Sequence, residues 1–415
     1  MKNQFVFLAI LTLFATGCSF QGMETVNNSS AQKGADYNPN NLTQALRIAA
    51  SRMVLRQPTA QEFDQASQGV DGYSAVIQSY LTNKRFASPQ IAGDPDPEIA
   101  ARGGALLQEH KNYFEQAGTD GTIDRDEPAN IATFIVVNDK PWYETVTGSY
   151  CVDDQFTQLS RCSTYNSDAD SAANAAGIIT TRAWIFRNKS PYNFHIVNMT
   201  FKKFLCSQYP DASDPGMPKT MVSTKKKTFT SNNNAGMDCY FCHRSINPKA
   251  WLFYGYNNQQ NNAIGTQGAT DIGMFNKIGG YGAPGINRQR TTLTDDANAT
   301  TSVPEDVICL KNNDGADGGT CIISNQTTQV TPNITIAGEP AFTVKDMGRI
   351  LAKDPRFADC ATQHYVNWMF GLDAKTKLTD DMKYLVDVFK GDSTQPYNVK
   401  RLIMEITKSA KFVNR

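Results

Sequence analysis

Apolar residues recur at helical spacing at both ends of this 415-residue chain, and the pattern dissolves between them. Leu42, Ala45, Leu46, Ala49 and Met53 form one stripe, and Tyr73, Val76, Ile77, Tyr80 and Leu81 form another. Both match the 3.6-residue period of a helix with one buried face. Between them, Thr59 followed by Glu62 three residues later reads as a capping box. Residues 100–116 and 128–147 also suit helices, the second broken at Pro141, and 183–206 suits a helix pair split at Pro191. Residues 207–340 are rich in Gly, Asn, Thr and Pro, with short strands expected at 307–310 and 320–323. Helical spacing returns at Val344, Met347, Ile350 and Leu351, where Thr343 and Asp346 offer a second capping box. Thr379, with Asp380 and Asp381 in the first turn, opens a helix that Gly391 stops, and Val399, Leu402, Ile403 and Ile406 mark the last one. The expectation is a mainly α fold with helical N- and C-terminal segments around an irregular, loop-rich middle.

The first residues differ from all of this. Lys2 precedes an apolar run from Phe5 to Phe14, too short to span a bilayer, and Ala15-Thr16-Gly17-Cys18 follows. Small residues leading to a cysteine resemble a bacterial lipobox, with Cys18 acylated as the first mature residue; an ordinary secretory signal with an incidental cysteine is the alternative. Either directs export. The organisation expected is a signal peptide at 1–18, a polar tether at 19–40, an N-terminal and central helical region at 41–182, a motif-bearing region with a loop-rich insertion at 183–340, and a C-terminal helical domain at 341–415. Forty basic and forty acidic residues cancel, so charge gives no support for nucleic-acid binding or for a polybasic membrane patch, and no nucleic-acid partner is expected; Lys225-Lys226-Lys227 reads as a solvated loop. The membrane is then reached through lipid at Cys18. Ser19 follows, rather than an inner-membrane retention Asp, which favours an outer-membrane address.

Chemistry concentrates at Cys239-Tyr240-Phe241-Cys242-His243. A C-x-x-C-H motif suits covalent haem: two thioethers from Cys239 and Cys242, with His243 on the iron. A disulfide between Cys239 and Cys242, or a zinc site, uses the same residues, but zinc lacks a second ligand pair in the sequence. Trp251, Phe253, Tyr254 and Tyr256 follow and suit either a porphyrin wall or ordinary core. A closed haem needs a sixth ligand, for which Met274 ranks first, ahead of His364 and His195. Removing Cys18, Cys239 and Cys242 from nine cysteines leaves an even number in an exported chain. The simplest pairing is Cys151 with Cys162 and Cys309 with Cys321 across short loops, and Cys206 with Cys360 over a long one.

Weaker signals stay with structural readings. Asp120 to Glu127 resembles the second half of an EF-hand loop, but Gln116 and Gly118 are poor calcium ligands, so it reads as an acidic turn before a helix. No G-x-S-x-G elbow occurs. His110, among charged neighbours, reads as a surface residue.

Four segments in order resemble the planctomycete-type cytochrome c-like family of exported bacterial proteins, built from successive domains of unknown function. They are Arg56-Gln57-Pro58-Thr59 with Glu62; Thr133-Phe134-Ile135-Val136-Val137-Asn138 with Ala176 to Thr181; Leu205-Cys206 with Cys239 to Pro248; and Asp354 to Cys360 with Ser409-Ala410-Lys411-Phe412. The likeness implies haem and export without a known substrate. Asn247-Pro248-Lys249-Ala250, Tyr254 and Asn257 replace the family's Asp-Pro-Leu-Gly and following acids, so no role of those acids carries over. The function expected is an exported mono-haem c-type cytochrome-like lipoprotein that transfers electrons to a redox partner protein in the cell envelope. The alternatives are a haem-free envelope structural or interaction lipoprotein on the same scaffold, and a haem enzyme with an open distal position.

Overall fold

The computed structural model describes residues 35–114, 119–120, 123–159, 175–188, 194–208, 246, 249, 252–253, 307–309, 321–323, 335–341, 344–371 and 379–415. The fold is mainly α. Helix α1 (Pro39–Met53) begins where the Asn38 side chain accepts the Asn41 N–H at 3.0 Å and Pro39 occupies the first turn. Its apolar stripe is buried throughout. Helix α2 (Ala60–Ala66) carries the full capping box: Glu62 N–H donates to Thr59 Oγ1 at 3.2 Å and Thr59 N–H to Glu62 Oε2 at 2.7 Å. Helix α3 (Val70–Leu81) buries its predicted stripe, and its Tyr73 hydroxyl donates to the Thr407 carbonyl at 3.1 Å, tying the two ends of the sequence together. Helix α4 (Lys84–Ala87) follows.

The single helix expected over 100–116 is two, α5 (Pro97–Arg102) and α6 (Ala105–Tyr113). Gly103 and Gly104 divide them. Gly103 has φ +82°, and a Cβ on Gly104 would sit 2.5 Å from the Ala87 nitrogen, so the chain passes directly against the end of α4. Helix α7 (Glu127–Val137) is buried from Pro128 to Val136, which makes it a central helix. It ends before Pro141 because Asp139, at φ 53°, turns the chain and lets Lys140 N–H return to the Ile135 carbonyl at 2.9 Å. Helices α8 (Glu144–Thr147), α9 (Arg182–Asn188) and α10 (Phe194–Leu205) complete the N-terminal and middle portions.

Helices α11 (Val344–Lys353), α12 (Pro355–Phe370), α13 (Thr379–Lys390), α14 (Val399–Lys408) and α15 (Ala410–Val413) form the C-terminal part. Asp354 caps α12 by accepting Arg356 N–H at 2.9 Å, and Gly371 ends it in the left-handed conformation, φ 64°. Helix α12 packs on α1, α10, α11, α13 and α14, so it links the C-terminal part to the rest. The strands form two-residue or three-residue antiparallel pairs: β1 (Thr119–Asp120) with β2 (Ile123–Asp124), β3 (Cys151–Val152) with β4 (Gln158–Leu159), β5 (Val307–Cys309) with β6 (Cys321–Ile323), and β7 (Thr335–Ile336) with β8 (Glu339–Pro340). Thr343 and Pro191 lie outside the described residues.

One contiguous core runs from Leu42 to Val413 and takes in residues of every region from 41 onwards. Ile246, Leu252 and Phe253, the residues just beyond the C-x-x-C-H motif, belong to it. Among the described residues, no helix is long and apolar enough to cross a membrane.

Candidate functional site

Two histidines lie side by side where α6 meets α12, with ring centroids 6.5 Å apart. His110 comes from α6 and His364 from α12; α7 contributes Thr133 and α10 contributes Lys203. His110 is fully buried, which corrects its reading as a surface residue. It falls three and four residues after Leu107 and Leu106, on the buried stripe of α6, and that stripe outweighs its charged sequence neighbours.

The hydrogen bonds around His110 have one consistent proton order. Thr133 donates its single hydroxyl proton to the Ala129 carbonyl at 2.7 Å. Its oxygen therefore accepts from His110 Nδ1–H, 2.8 Å away. That leaves Nε2 as the acceptor for the Tyr365 hydroxyl at 3.0 Å. Burial, then the neighbouring His364, push the His110 pKa well below 6.5, so the imidazole stays neutral. Burial likewise drives Tyr365 well above 10, keeping its proton in place to donate.

His364 is arranged differently. Its ring lies 3.8 Å from the Tyr113 ring, and its Nδ1 lies 3.8 Å from Glu109 Oε1. Its Nε2 is buried and has no hydrogen-bond partner. Burial, then the Lys203 charge, depress its pKa to about 3. Burial pushes Glu109 up to about 7 against the opposing charge of Arg52. The Glu109–His364 contact thus joins a neutral imidazole to a carboxyl that titrates near neutrality, and it is not an ion pair. Tyr113 is held from the other side: its hydroxyl donates to the Lys203 carbonyl, while the Lys203 ammonium donates to the Tyr113 carbonyl and lies 4.9 Å over its ring.

A disulfide borders the cluster. Cys206, at the end of α10, is bonded to Cys360 of α12, with Cα atoms 5.2 Å apart and a sequence separation of 154. Cys360 lies one turn before His364, and its sulfur is 3.9 Å from the Tyr113 hydroxyl. The loop closed by this bond contains the whole C-x-x-C-H motif.

Of the other residues singled out from the sequence, Cys18, Cys162, Cys239, Cys242, His243 and Met274 lie outside the described residues, as do Trp251, Tyr254 and Tyr256. Cys151 is half-buried and disulfide-bonded. The β5–β6 register sets Cys309 opposite Cys321. His195 is exposed on α10. Sequence reasoning missed Glu109, Tyr113, Lys203 and Tyr365. The spacing Glu109-x-x-x-Tyr113 on one helix and Cys360-x-x-x-His364 on another was the available signal, since each pair shares a helix face.

Haem is the cofactor that the motif implies, and Cys239, Cys242 and His243, which would hold it, lie outside the described residues. His364 Nε2 is buried without a hydrogen-bond partner, and the 3.8 Å between its Nδ1 and Glu109 Oε1 is longer than a hydrogen bond. Among the described residues no group of three or more His, Cys, Asp or Glu side chains is placed to hold a free metal ion. Comparisons with protein-family models, with curated proteins and with solved structures find no match for this chain.

Proposed function

We propose that the chain is an exported mono-haem c-type cytochrome-like protein, lipid-anchored at Cys18, that passes electrons to a partner protein in the cell envelope. The observation that carries the reading is the C-x-x-C-H motif followed at once by core: Ile246, Leu252 and Phe253 are all buried within ten residues of His243. Attachment there fixes a cofactor to the folded body. Held by Cys239 and Cys242 with His243 on the iron, haem supplies a one-electron couple. The Cys206–Cys360 bond closes the segment carrying the motif onto α12. Export supplies the oxidising compartment in which such a bond persists.

The deciding experiment is expression in a bacterial periplasm with a c-type maturation system. The denatured polypeptide is expected to retain the mass and the reduced spectrum of one haem, and Cys239→Ala with Cys242→Ala is expected to lose both. A wild-type chain without haem, matured beside a control cytochrome that acquires it, points instead to a haem-free envelope lipoprotein.

A further inference from the structure

We propose that Tyr365 and His110 form a redox-active pair: a strong one-electron oxidant takes an electron from the Tyr365 ring, and the phenolic proton passes along the existing hydrogen bond to His110 Nε2. Trp142 and Trp368 are the relay through which the electron leaves. The pair is independent of the haem reading above and works with or without a bound haem.

The step balances within the side chains and the oxidant. A neutral phenol and a neutral imidazole become a neutral phenoxyl radical and an imidazolium, and the oxidant gains one electron. The Tyr365 O–H bond breaks and an N–H bond forms on Nε2. Reduction of the radical returns the proton to oxygen.

The starting protonation states are those the step needs. Thr133 commits its hydroxyl proton to the Ala129 carbonyl, so His110 is protonated on Nδ1 and its Nε2 lone pair faces the Tyr365 oxygen at 3.0 Å. Burial keeps the imidazole neutral and the phenol protonated. The product is accommodated as well. An imidazolium has two N–H donors, and both acceptors are already in place: Thr133 Oγ1 lies 2.8 Å from Nδ1, and the phenoxyl oxygen 3.0 Å from Nε2. No buried donor is left unpaired, so the proton moves without rearrangement of the core. A tyrosine ring that has lost an electron is a far stronger acid than an imidazolium, so even a buried imidazole of weakened basicity takes the proton.

The neighbouring rings give the electron a route. Trp142 and Trp368 lie with ring centroids 5.5 and 6.4 Å from Tyr365. The chain has four tryptophans, and two of them flank this one tyrosine. Indole and phenol are the aromatic side chains that give up an electron most readily, which sets this row apart from the phenylalanine-rich core around Phe204. Tyr365 and His110 are fully buried, whereas Trp368 keeps 7% of its surface exposed. An oxidant can therefore draw on Trp368 while the radical stays sealed from solvent and from pairing with a second radical.

The test uses the full-length exported chain, with any bound haem kept ferric. A photogenerated ruthenium(III) polypyridyl complex is the oxidant, and electron paramagnetic resonance after rapid freezing is the readout. The expected signal is a neutral tyrosyl radical that outlives those of exposed tyrosines. It should couple to an exchangeable proton and, when histidine carries a heavy-nitrogen label, to an imidazole nitrogen. Tyr365→Phe is expected to abolish the signal. His110→Gln is expected to remove the histidine coupling and slow radical formation. Replacing Trp142 and Trp368 together by Phe should slow formation and leave the spectrum unchanged; an unchanged rate overturns the relay. A bond that merely holds helices together would give no long-lived radical. Absence of that radical from the wild type overturns the proposal, and so does a signal that survives Tyr365→Phe. Should the variants fail to fold, the labelled wild type decides alone: among the described residues Tyr365 is the tyrosine whose hydroxyl meets a histidine, and a long-lived radical without histidine coupling overturns the pair.

Discussion

His110 and His364 sit 6.5 Å apart in the same core, yet one is closed and the other open. Around His110 every polar atom has a role: Tyr365 gives a proton to Nε2, Nδ1 gives one to Thr133, and Thr133 passes its own to the Ala129 carbonyl. Such a chain holds α6, α7 and α12 in fixed register and leaves nothing for a ligand. Around His364 the carboxylate, the aromatic ring and the disulfide are all in place, but Nε2 has no partner. The first region builds structure. The second leaves one buried ring nitrogen without a hydrogen-bond partner beside the Cys206–Cys360 disulfide. Both histidines are buried, and they differ in how many of their ring nitrogens are paired.

Breaking the clamp gives the largest expected effect. Replacing Cys206 and Cys360 by Ser reopens a loop of 154 residues, and in the chain-entropy picture the loss is about 5 kcal/mol. Denaturant unfolding of the oxidised wild type against the double variant measures it. A loss under about 1 kcal/mol would mean that the segment between the cysteines is already restrained by its own contacts. The expected damage falls on the His364 side, because the His110 network draws on α6, α7 and α12 without the disulfide.

A smaller pair of substitutions contrasts the two histidines directly. Tyr365→Phe removes the donor to His110 Nε2 and leaves that nitrogen buried and unpaired, at a cost of about 2 kcal/mol. His364→Leu, made in a chain that also carries Cys239→Ala and Cys242→Ala, removes a nitrogen that had no partner to lose. Its expected cost is under about 1 kcal/mol, because the lost ring contact with Tyr113 is offset by removal of the orphaned atom. Equal costs at the two sites would erase the distinction between them.

Most of the scaffold was legible in the sequence, for a simple reason. Stripes such as Leu42 to Met53 and Val344 to Leu351 bury one helix face, and caps such as Thr59 with Glu62 satisfy backbone groups locally. The failures came where a distant partner decided the outcome. Gly103 and Gly104 split a helix because α4 presses on them, and His110 went inside because Thr133 and Tyr365 wait there, 23 and 255 residues away. The candidate site was legible only in part. Cys206 and Cys360 stood out as cysteines without a near mate, and His364 as a histidine among apolar neighbours, but the grouping with Glu109, Tyr113 and Lys203 needs three helices brought together.

The smallest expected effect is a slope with pH, and it again separates the two regions. His110 has its pKa held well below 6.5 by burial, so the folded chain refuses a proton that the unfolded chain accepts. When the unfolded state binds more protons, stability rises with pH. The contribution of His110 is therefore complete above about pH 6.5 and is lost progressively as the pH falls, by at most about 1.4 kcal/mol for each unit. His364 has the same sign in the haem-free chain, with its pKa at about 3. Between pH 6.5 and 5 the wild type in that form carries the share of both histidines and His364→Leu carries one, while Glu109, raised to about 7, contributes with the opposite sign. Denaturant midpoints at several pH values give both slopes, and their difference isolates His364. Equal slopes in the wild type and in His364→Leu would show that unfolding adds no proton at His364, and the two histidines would then differ in packing alone.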